Sequence, residues 1–442
     1  MDGIHYRARA PLRIGIAGGG TDVDPYASKK GGAVFNTTIN RYAYCTITPT
    51  GDGSMSVYST DYGKFEASLD GGPLPLDGNM DLIKAVTNHF EITDGFKMFL
   101  QSEAPPGSGL GGSSTVIVSI IAATCEWLGI KMTGHEMAEL AYKLEREEIG
   151  LKGGKQDQYA AVFGGFNLMK FNNDGVDVMK VRIPEDTLNE LQLCTLLCYT
   201  GTPRESAKII ESQVDSFNSG QNEEALDRSK EIAVDMTRAL EKGDIQLAGE
   251  LLDLSWKYKK QFSNKISNPM IDRLYDAAIA DGAIGGKVSG AGGGGFMYFI
   301  CHYNRKYSVA KSLTQLGARV TDYMFEPDGV VSWRYPNVRV HSRRAQQERR
   351  DHIEDRSRPD QGRGRYDQGI PQQRRAGHLH GQRRFRRGCP AHSRGVLREV
   401  HARASCAGRS VPEQHMPCHR HRQRLQLRPG VQEADRGHLQ EG

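Results

Sequence analysis

Three glycine-rich stretches carry the residues best suited to chemistry: "GIAGGGTDV" (Gly15–Val23), "PPGSGLGGSST" (Pro105–Thr115) and "KVSGAGGGG" (Lys287–Gly295). Before the second, "FKMFLQSE" (Phe96–Glu103) alternates loosely and predicts a strand; after it, Ser113–Leu128 is unbroken by Gly or Pro and predicts a buried helix. Ser113 and Ser114 then fall at a helix start, where hydroxyls cap free backbone N–H groups. Glycines just upstream let the backbone approach a ligand closely. The free N–H groups and the positive end of the helix dipole make a site for an anion, most often phosphate. The competing reading is a tight turn capped by Ser, but four glycines beside Ser-Ser-Thr favour phosphate. No Lys follows the loop as a P-loop requires, and "GIAGGGTDV" lacks the GxGxxG spacing of a dinucleotide fold.

The elements that must position these loops are of both kinds. Hydrophobic patterning predicts strands at Leu12–Ile16, Ala33–Thr48, Ser54–Tyr58, Phe96–Leu100, Gly165–Lys170, Val176–Arg182, Gln192–Tyr199 and Phe296–Cys301. Helices are expected at Asp81–His89, Ser113–Leu128, His135–Ile149, Arg204–Phe217, Glu223–Glu241, Ile245–Phe262, Pro269–Asp281 and Lys306–Leu316. A change from strands to helices near 175–203 marks a domain boundary.

Charge divides the chain further. Its net charge of +5 over 442 residues hides an acidic body, with 35 Lys+Arg against 42 Asp+Glu in residues 1–340. Residues 341–442 carry 23 Arg, no Lys, 11 Asp+Glu and ten of the fourteen His. Five of the eight cysteines lie in the body and none forms a CxxC pair, which argues for reduced thiols rather than a disulfide framework or zinc site. The start has no signal-peptide apolar region, and no apolar run reaches membrane-spanning length, so a cytoplasmic protein without membrane partners is expected.

Together with "LEREEIGLKGGKQDQYAAVFGG" (Leu144–Gly165), the ordered glycine loops make residues 8–330 resemble the galactose, homoserine, mevalonate and phosphomevalonate (GHMP) kinases. The resemblance implies an α+β, two-domain fold with the active-site cleft between its domains, 1–190 and 191–335. It implies ATP bound by Pro106, Gly107, Ser108, Gly109, Leu110, Gly111, Gly112, Ser113 and Ser114, with Mg²⁺ on Glu145 and on Ser113 or Ser114. The extra Gly in "GLGGSS" leaves the serine register open; Glu148 is the fallback carboxylate, and a solvated helix face is the competing reading of "EREE". Asp157 matches the family's catalytic aspartate, to accept the acceptor's proton or orient its hydroxyl; the competing role is a helix N-cap.

"APLRIGIAGGGTDVDPY", "YTGTPRESAKII" and "KVSGAGGGGFM" resemble the members of the family that act on heptose 7-phosphate. That resemblance implies phosphorylation of the anomeric hydroxyl of D-glycero-D-manno-heptose 7-phosphate to the 1,7-bisphosphate, on the route to nucleotide-activated heptose. A fucose or hexose 1-kinase and a non-catalytic sugar-binding relative are the alternatives. Arg13 suits an anionic group at the catalytic centre, and Asp22, with Gly19, Gly20 and Thr21, suits sugar hydroxyls. Arg204 and Lys155 are expected to hold the substrate's phosphate, an exposed surface Arg being the competing view of Arg204. Gly290, Gly292 and Gly293 are expected to close the site by close backbone approach.

The tail 341–442 has neither helical nor strand periodicity, and a disordered arm for nucleic acid or anionic lipid is its ordinary reading. Such arms mix Lys with Arg and carry no nucleic-acid-binding signature here, so nucleic acid is not expected as a partner. Translation out of frame fits better. Read one base later with permitted codons, "GQRRFRRGCPAHSRG" (Gly381–Gly395) allows "GNGGSAADAQHIVGE", and "REVHA" (Arg398–Ala402) allows "GKFM". The longer string resembles the sugar-phosphate loop of sedoheptulose 7-phosphate isomerases, implying a functional link to such an enzyme and a catalytically silent tail.

Overall fold

The computed structural model describes residues 3–201 and 206–336; Arg204 and the tail 341–442 lie outside the described residues. The strands are β1 (Ile4–Ala17), β2 (Gly32–Pro49), β3 (Ser54–Ser59), β4 (Gly63–Ser68), β5 (Phe96–Ser102), β6 (Phe166–Asn172), β7 (Gly175–Lys180), β8 (Thr195–Tyr199), β9 (Ala283–Val288), β10 (Phe296–Cys301), β11 (Arg319–Thr321) and β12 (Val331–Pro336). The helices are α1 (Tyr26–Lys30), α2 (Asp81–His89), α3 (Gly112–Leu128), α4 (Gly134–Tyr142), α5 (Gln156–Phe163), α6 (Glu185–Cys194), α7 (Ser206–Asn218), α8 (Glu223–Glu241), α9 (Ile245–Lys259), α10 (Pro269–Ala280) and α11 (Lys306–Gln315).

They form two sheets. The first runs β12-β1-β2-β5-β3-β4, with β6 and β7 continuing from the far part of β2; the second runs β11-β8-β10-β9. The long strands β1 and β2 pair antiparallel from Tyr6↔Ile47 to Ala17↔Phe35, with register shifts at Pro11/Leu12 and Gly15/Ala17. One core fills the space between the first sheet and α2–α5, including Val34, Ile47, Met98, Ile117 and Ile121. Another lies under α10 and α11 on the second sheet, around Trp256, Phe262, Leu274 and Phe299. A middle core joins the two sheets through Leu12, Ile14 and Ile16 of β1, Met236 of α8, Leu252 of α9 and Tyr298 of β10. Strand alternation then turns Arg13 away from its neighbours Leu12 and Ile14.

Three local readings change. Gln192–Tyr199 is not one strand: α6 continues to Cys194, because "EDTLNELQLC" buries Thr187, Leu191 and Cys194 at helical spacing. The expected helix His135–Ile149 is α4 followed by a π-helical segment, Lys143–Glu148, which buries Leu144 and Glu145. Ser113 and Ser114 are not caps. Gly111 is the N-cap of α3, in the left-handed conformation at φ 77°, and no side chain caps the helix. That backbone is one a side-chain-bearing residue rarely adopts.

Candidate active site

Arg13 organises the centre of the cleft. Its guanidinium is almost wholly buried, and Nε and Nη2 each lie 2.7 Å from Asp157 Oδ1. Nη1 donates to the carbonyl of Gly109 at 2.6 Å and to Ser289 Oγ at 3.3 Å. Ser289 Oγ donates in turn to the same Gly109 carbonyl at 3.0 Å. The Arg13 backbone N–H donates to Leu110 O at 3.0 Å. One arginine therefore ties β1, the loop ahead of α3, the start of α5 and the third glycine stretch to one point. Asp157 is the second residue of α5, whose N-cap is Lys155 without a side-chain cap, so its carboxylate serves Arg13 rather than the helix.

The loops meet backbone to backbone. Phe296 N donates to Ser108 O at 2.9 Å, and a side chain on Gly295 would begin 2.2 Å from that same oxygen. A side chain on Gly111 would begin 3.3 Å from Asp157 Cγ and 3.4 Å from Arg13 Cγ. The glycine-rich loop ahead of α3 thus passes directly over the Arg13–Asp157 pair. Asp157 Oδ2 accepts no hydrogen bond from a described residue and lies 3.4 Å from that Gly111 position.

Glu145 is fully buried beside the start of α3. Its carboxylate accepts from Ser113 Oγ, from Ser114 Oγ at 2.7 Å and from Gln158 Nε2 at 2.7 Å, with Arg146 Nη1 at 3.4 Å. A carboxylate and two hydroxyls at the mouth of the loop form the hard oxygen set that Mg²⁺ takes, alongside phosphate and water. The fit is good. Glu148 lies outside this group; its carboxylate pairs at 4.0 Å with Lys143.

A cleft of about 400 Å³ opens along these groups. Its lining includes Pro106, Gly107, Ser108, Gly109, Gly111, Gly112, Ser113 and Ser114, together with Gly20, Asp22, Gln156, Ser206, Gln213, Lys259 and Gly290. Asp22 accepts from Gly20 N at 3.0 Å and from Gln156 N and Nε2 at 3.2 Å, which ties the first glycine stretch to the start of α5. Burial, then the Asp157 charge, raises its pKa above the usual carboxylate range. Behind the site Lys287 donates to Ile16 O at 3.2 Å, and burial followed by the charge of Arg13 lowers its pKa to about 7.

Other expected residues stand back from the cleft wall. Leu110 is buried beneath the loop. Thr21 braces its turn through Gly18 O and Ala33 O, and Gly292 and Gly293 pack on Ile266 and Ile209. The Lys155 ammonium sits 4.7 Å from the centre of the Tyr142 ring, and Lys155 is not among the residues lining this cleft. The lining cations among the described residues are Arg13, Arg146, Lys152 and Lys259. Lys259 had no signal in the sequence, since "KYKK" at a helix end reads as an ordinary solvated basic run.

Comparison with known proteins agrees with this geometry. The GHMP kinases N terminal domain matches residues 80–165, and the GHMP kinases C terminal domain matches residues 236–319. The D-glycero-alpha-D-manno-heptose 7-phosphate kinase of Campylobacter jejuni is 40% identical over 334 residues, covering 74% of this chain and 98% of that protein. The L-fucokinase/L-fucose-1-P guanylyltransferase of Bacteroides fragilis is 30% identical over 66% of this chain, which spans only 34% of that longer protein. Among solved structures, a D-glycero-D-manno-heptose 1-phosphate kinase from Bacteroides thetaiotaomicron superposes with a TM-score of 0.64 at 36% identity, covering 75% of this chain and all of that one. No helix among the described residues is long and apolar enough to cross a membrane. A glycine-rich loop resting on a buried Arg–Asp pair, both family domains in order, and a relative matched over nearly its whole length lead to one conclusion: the chain belongs to the GHMP kinases and is an ATP-dependent sugar kinase.

Proposed function

We propose that the enzyme transfers the γ-phosphate of ATP to the anomeric hydroxyl of D-glycero-D-manno-heptose 7-phosphate, in the cytoplasm, giving the 1,7-bisphosphate for nucleotide-activated heptose. The observation that carries this reading is the second oxygen of Asp157, which accepts no hydrogen bond from a described residue and lies beside Gly111 of the glycine-rich loop while Arg13 holds the first. An acceptor hydroxyl placed there points its proton at Oδ2 and its oxygen at a phosphate on the loop. Asp157 takes the proton or orients the hydroxyl, and an anomeric hydroxyl, more acidic than an ordinary one, gives up that proton more readily. The N–H groups at the start of α3, with Arg146 and Lys152 alongside, oppose the charge of the phosphates. Glu145, with Ser113 or Ser114, would hold Mg²⁺, which neutralises phosphate charge when bound.

The heptose 7-phosphate kinase relative supports the acceptor, and the fucokinase relative keeps an unphosphorylated sugar as the alternative. The test is ADP release on a panel of heptoses, heptose 7-phosphates, fucose and hexoses with Mg²⁺. Preferential turnover of the 7-phosphate supports the reading; equal use of free and phosphorylated heptose sinks it. Arg204 remains our proposed contact to the 7-phosphate, and Arg204→Ala should weaken that substrate about tenfold to hundredfold while leaving ATP binding alone.

A further inference from the structure

Asp22 lies in the turn that follows β1 and is 3% exposed. A carboxylate so far from water needs donors, and three N–H groups converge on it. Gly20 N donates to Oδ1 at 3.0 Å, Gln156 N donates to Oδ2 at 3.2 Å, and Gln156 Nε2 stands 3.2 Å from both oxygens. Gly154 makes this approach possible. A side chain there would begin 2.0 Å from Asp22 Oδ2, and Gly154 does not adopt the left-handed backbone, so space alone requires glycine.

Gln156 is the first residue of α5, whose N-cap Lys155 makes no side-chain bond to the helix. The first backbone N–H groups of a helix have no partner within it, and they form the positive end of its dipole. Asp22 supplies a partner of the right charge from 134 residues away in the sequence. The next residue is Asp157, whose Oδ1 takes Nε and Nη2 of Arg13. Arg13 stands on β1, and Asp22 follows in the same stretch of chain. That stretch therefore holds Asp157 at two points, by its side chain and by the start of its helix. Arg13 fixes one oxygen; the direction of the other depends on where α5 begins.

We infer that Asp22 is a positioning residue for the reaction: it caps α5 through Gln156 and so sets the direction in which Asp157 Oδ2 meets the acceptor hydroxyl. This role differs from the sugar-hydroxyl contact expected of Asp22 from the sequence. It rests on the reading of Asp157 as the group that takes or orients the acceptor's proton. A carboxylate reserved for a sugar keeps an oxygen open, as Asp157 does, whereas both oxygens of Asp22 already have donors.

The experiment measures kcat and acceptor KM for D-glycero-D-manno-heptose 7-phosphate in the full-length wild type, D22N, D157A and D22N/D157A, with a thermal melt of each. Asn keeps the volume of Asp22 and one acceptor oxygen but turns an NH₂ group toward the donors. A misplaced reacting group costs about a hundredfold, so D22N should lower kcat about tenfold to hundredfold with little change in acceptor KM. In the D157A background there is no carboxylate to aim, and the same substitution should lower kcat by less than about threefold. A loss of equal size in both backgrounds overturns the inference. So does D22N with wild-type kcat, or with a raised acceptor KM, the mark of a sugar contact. These results leave the reading of Asp157 standing, whereas wild-type kcat in D157A overturns that reading itself. If D22N or D157A does not fold, Q156M decides alone, since Met keeps the volume and removes the amide donor. Lowered kcat at unchanged acceptor KM supports the inference, and an unchanged kcat or a raised acceptor KM overturns it.

Discussion

Replacing Asp157 by Asn removes one charge and almost no volume, at a carboxylate whose Oδ1 takes two Arg13 nitrogens at 2.7 Å. Deleting one partner of a buried ion pair costs about 3–5 kcal/mol. Three features reduce that here. The Asp157 side chain is 19% exposed, Asn keeps a carbonyl oxygen on the guanidinium, and Arg13 keeps its bond to Gly109 O. Asp22 also loses the neighbouring charge that helps raise its pKa, a small gain. The net loss should be that of one hydrogen bond to a charged group, about 1.5–3 kcal/mol, inside the 5–15 kcal/mol that typical domains hold in reserve. The Asn variant therefore folds, and its catalytic defect is its own. Loss of a positioned proton acceptor lowers kcat about 10²–10⁴-fold, or roughly 3–5 kcal/mol of barrier, with little change in KM. Steady-state ADP release over acceptor and ATP concentrations, beside a thermal melt, measures both quantities. Asp157→Ala separates the two roles, because Asn can still orient a hydroxyl and Ala cannot. Equal, large kcat losses in both assign proton acceptance, and a defect mainly in Ala assigns orientation. Wild-type kcat in both variants removes Asp157 from the mechanism.

Further outcomes concern other residues. Lys287 is buried with its pKa lowered to about 7, so the unfolded chain holds a proton there that the folded one lacks between about 7 and 10.5. Wild-type stability from this group should rise by on the order of 3–5 kcal/mol across that window, and denaturation midpoints in Lys287→Met should lose the slope; an unchanged slope refutes the assignment. Ser114 is the more buried of the two serines and also accepts from Arg146 at 3.2 Å, so Ser114→Ala should lose about 1–3 kcal/mol of stability. Ser113→Ala should instead raise the Mg²⁺ concentration needed for half-maximal rate, and the reverse pattern in melts and Mg²⁺ titrations would exchange their roles. Removing residues 341–442 should leave kcat and KM unchanged, since the Campylobacter kinase is matched over 98% of its length by 74% of this chain. If the gene read one base later across Gly381–Gly395 does not encode the glycine-serine-alanine loop, the out-of-frame origin is wrong.

The phosphate loop was legible because its signal is local: glycines, hydroxyls and an unbroken apolar helix within a few dozen residues. Long, strongly patterned elements such as α8 and β10 were legible on the same ground. Elements that break their own local rule were not. β9 contains Gly285 and Gly286 and reads as loop, yet side chains there would begin 2.1 Å from Gly249 O and from Phe299 Cδ1. Tight contact with α9 and β10, not strand propensity, requires those glycines. β4, with one face in solvent, lacks the apolar alternation that marks a strand, and α5 is short and bounded by glycine.

The site divides along the same line. Asp157 was found by its motif, but its bond to Arg13 spans 144 residues, and no spacing rule reaches that far. Ser113 and Ser114 do stand at the start of α3, but capping is not their role. The left-handed Gly111 ends the loop instead, which frees both hydroxyls for a glutamate 31 and 32 residues away. The lysines show the limit most sharply. Lys155 sits inside the motif and swings out over Tyr142, whereas Lys259 sits in an ordinary basic helix end and turns into the cleft. Sequence identifies which residues can carry a charge. Whether that charge is buried depends on how the end of α9 packs, and Trp256 and Phe262, on either side of Lys259, are held by the core on the second sheet rather than by any local pattern.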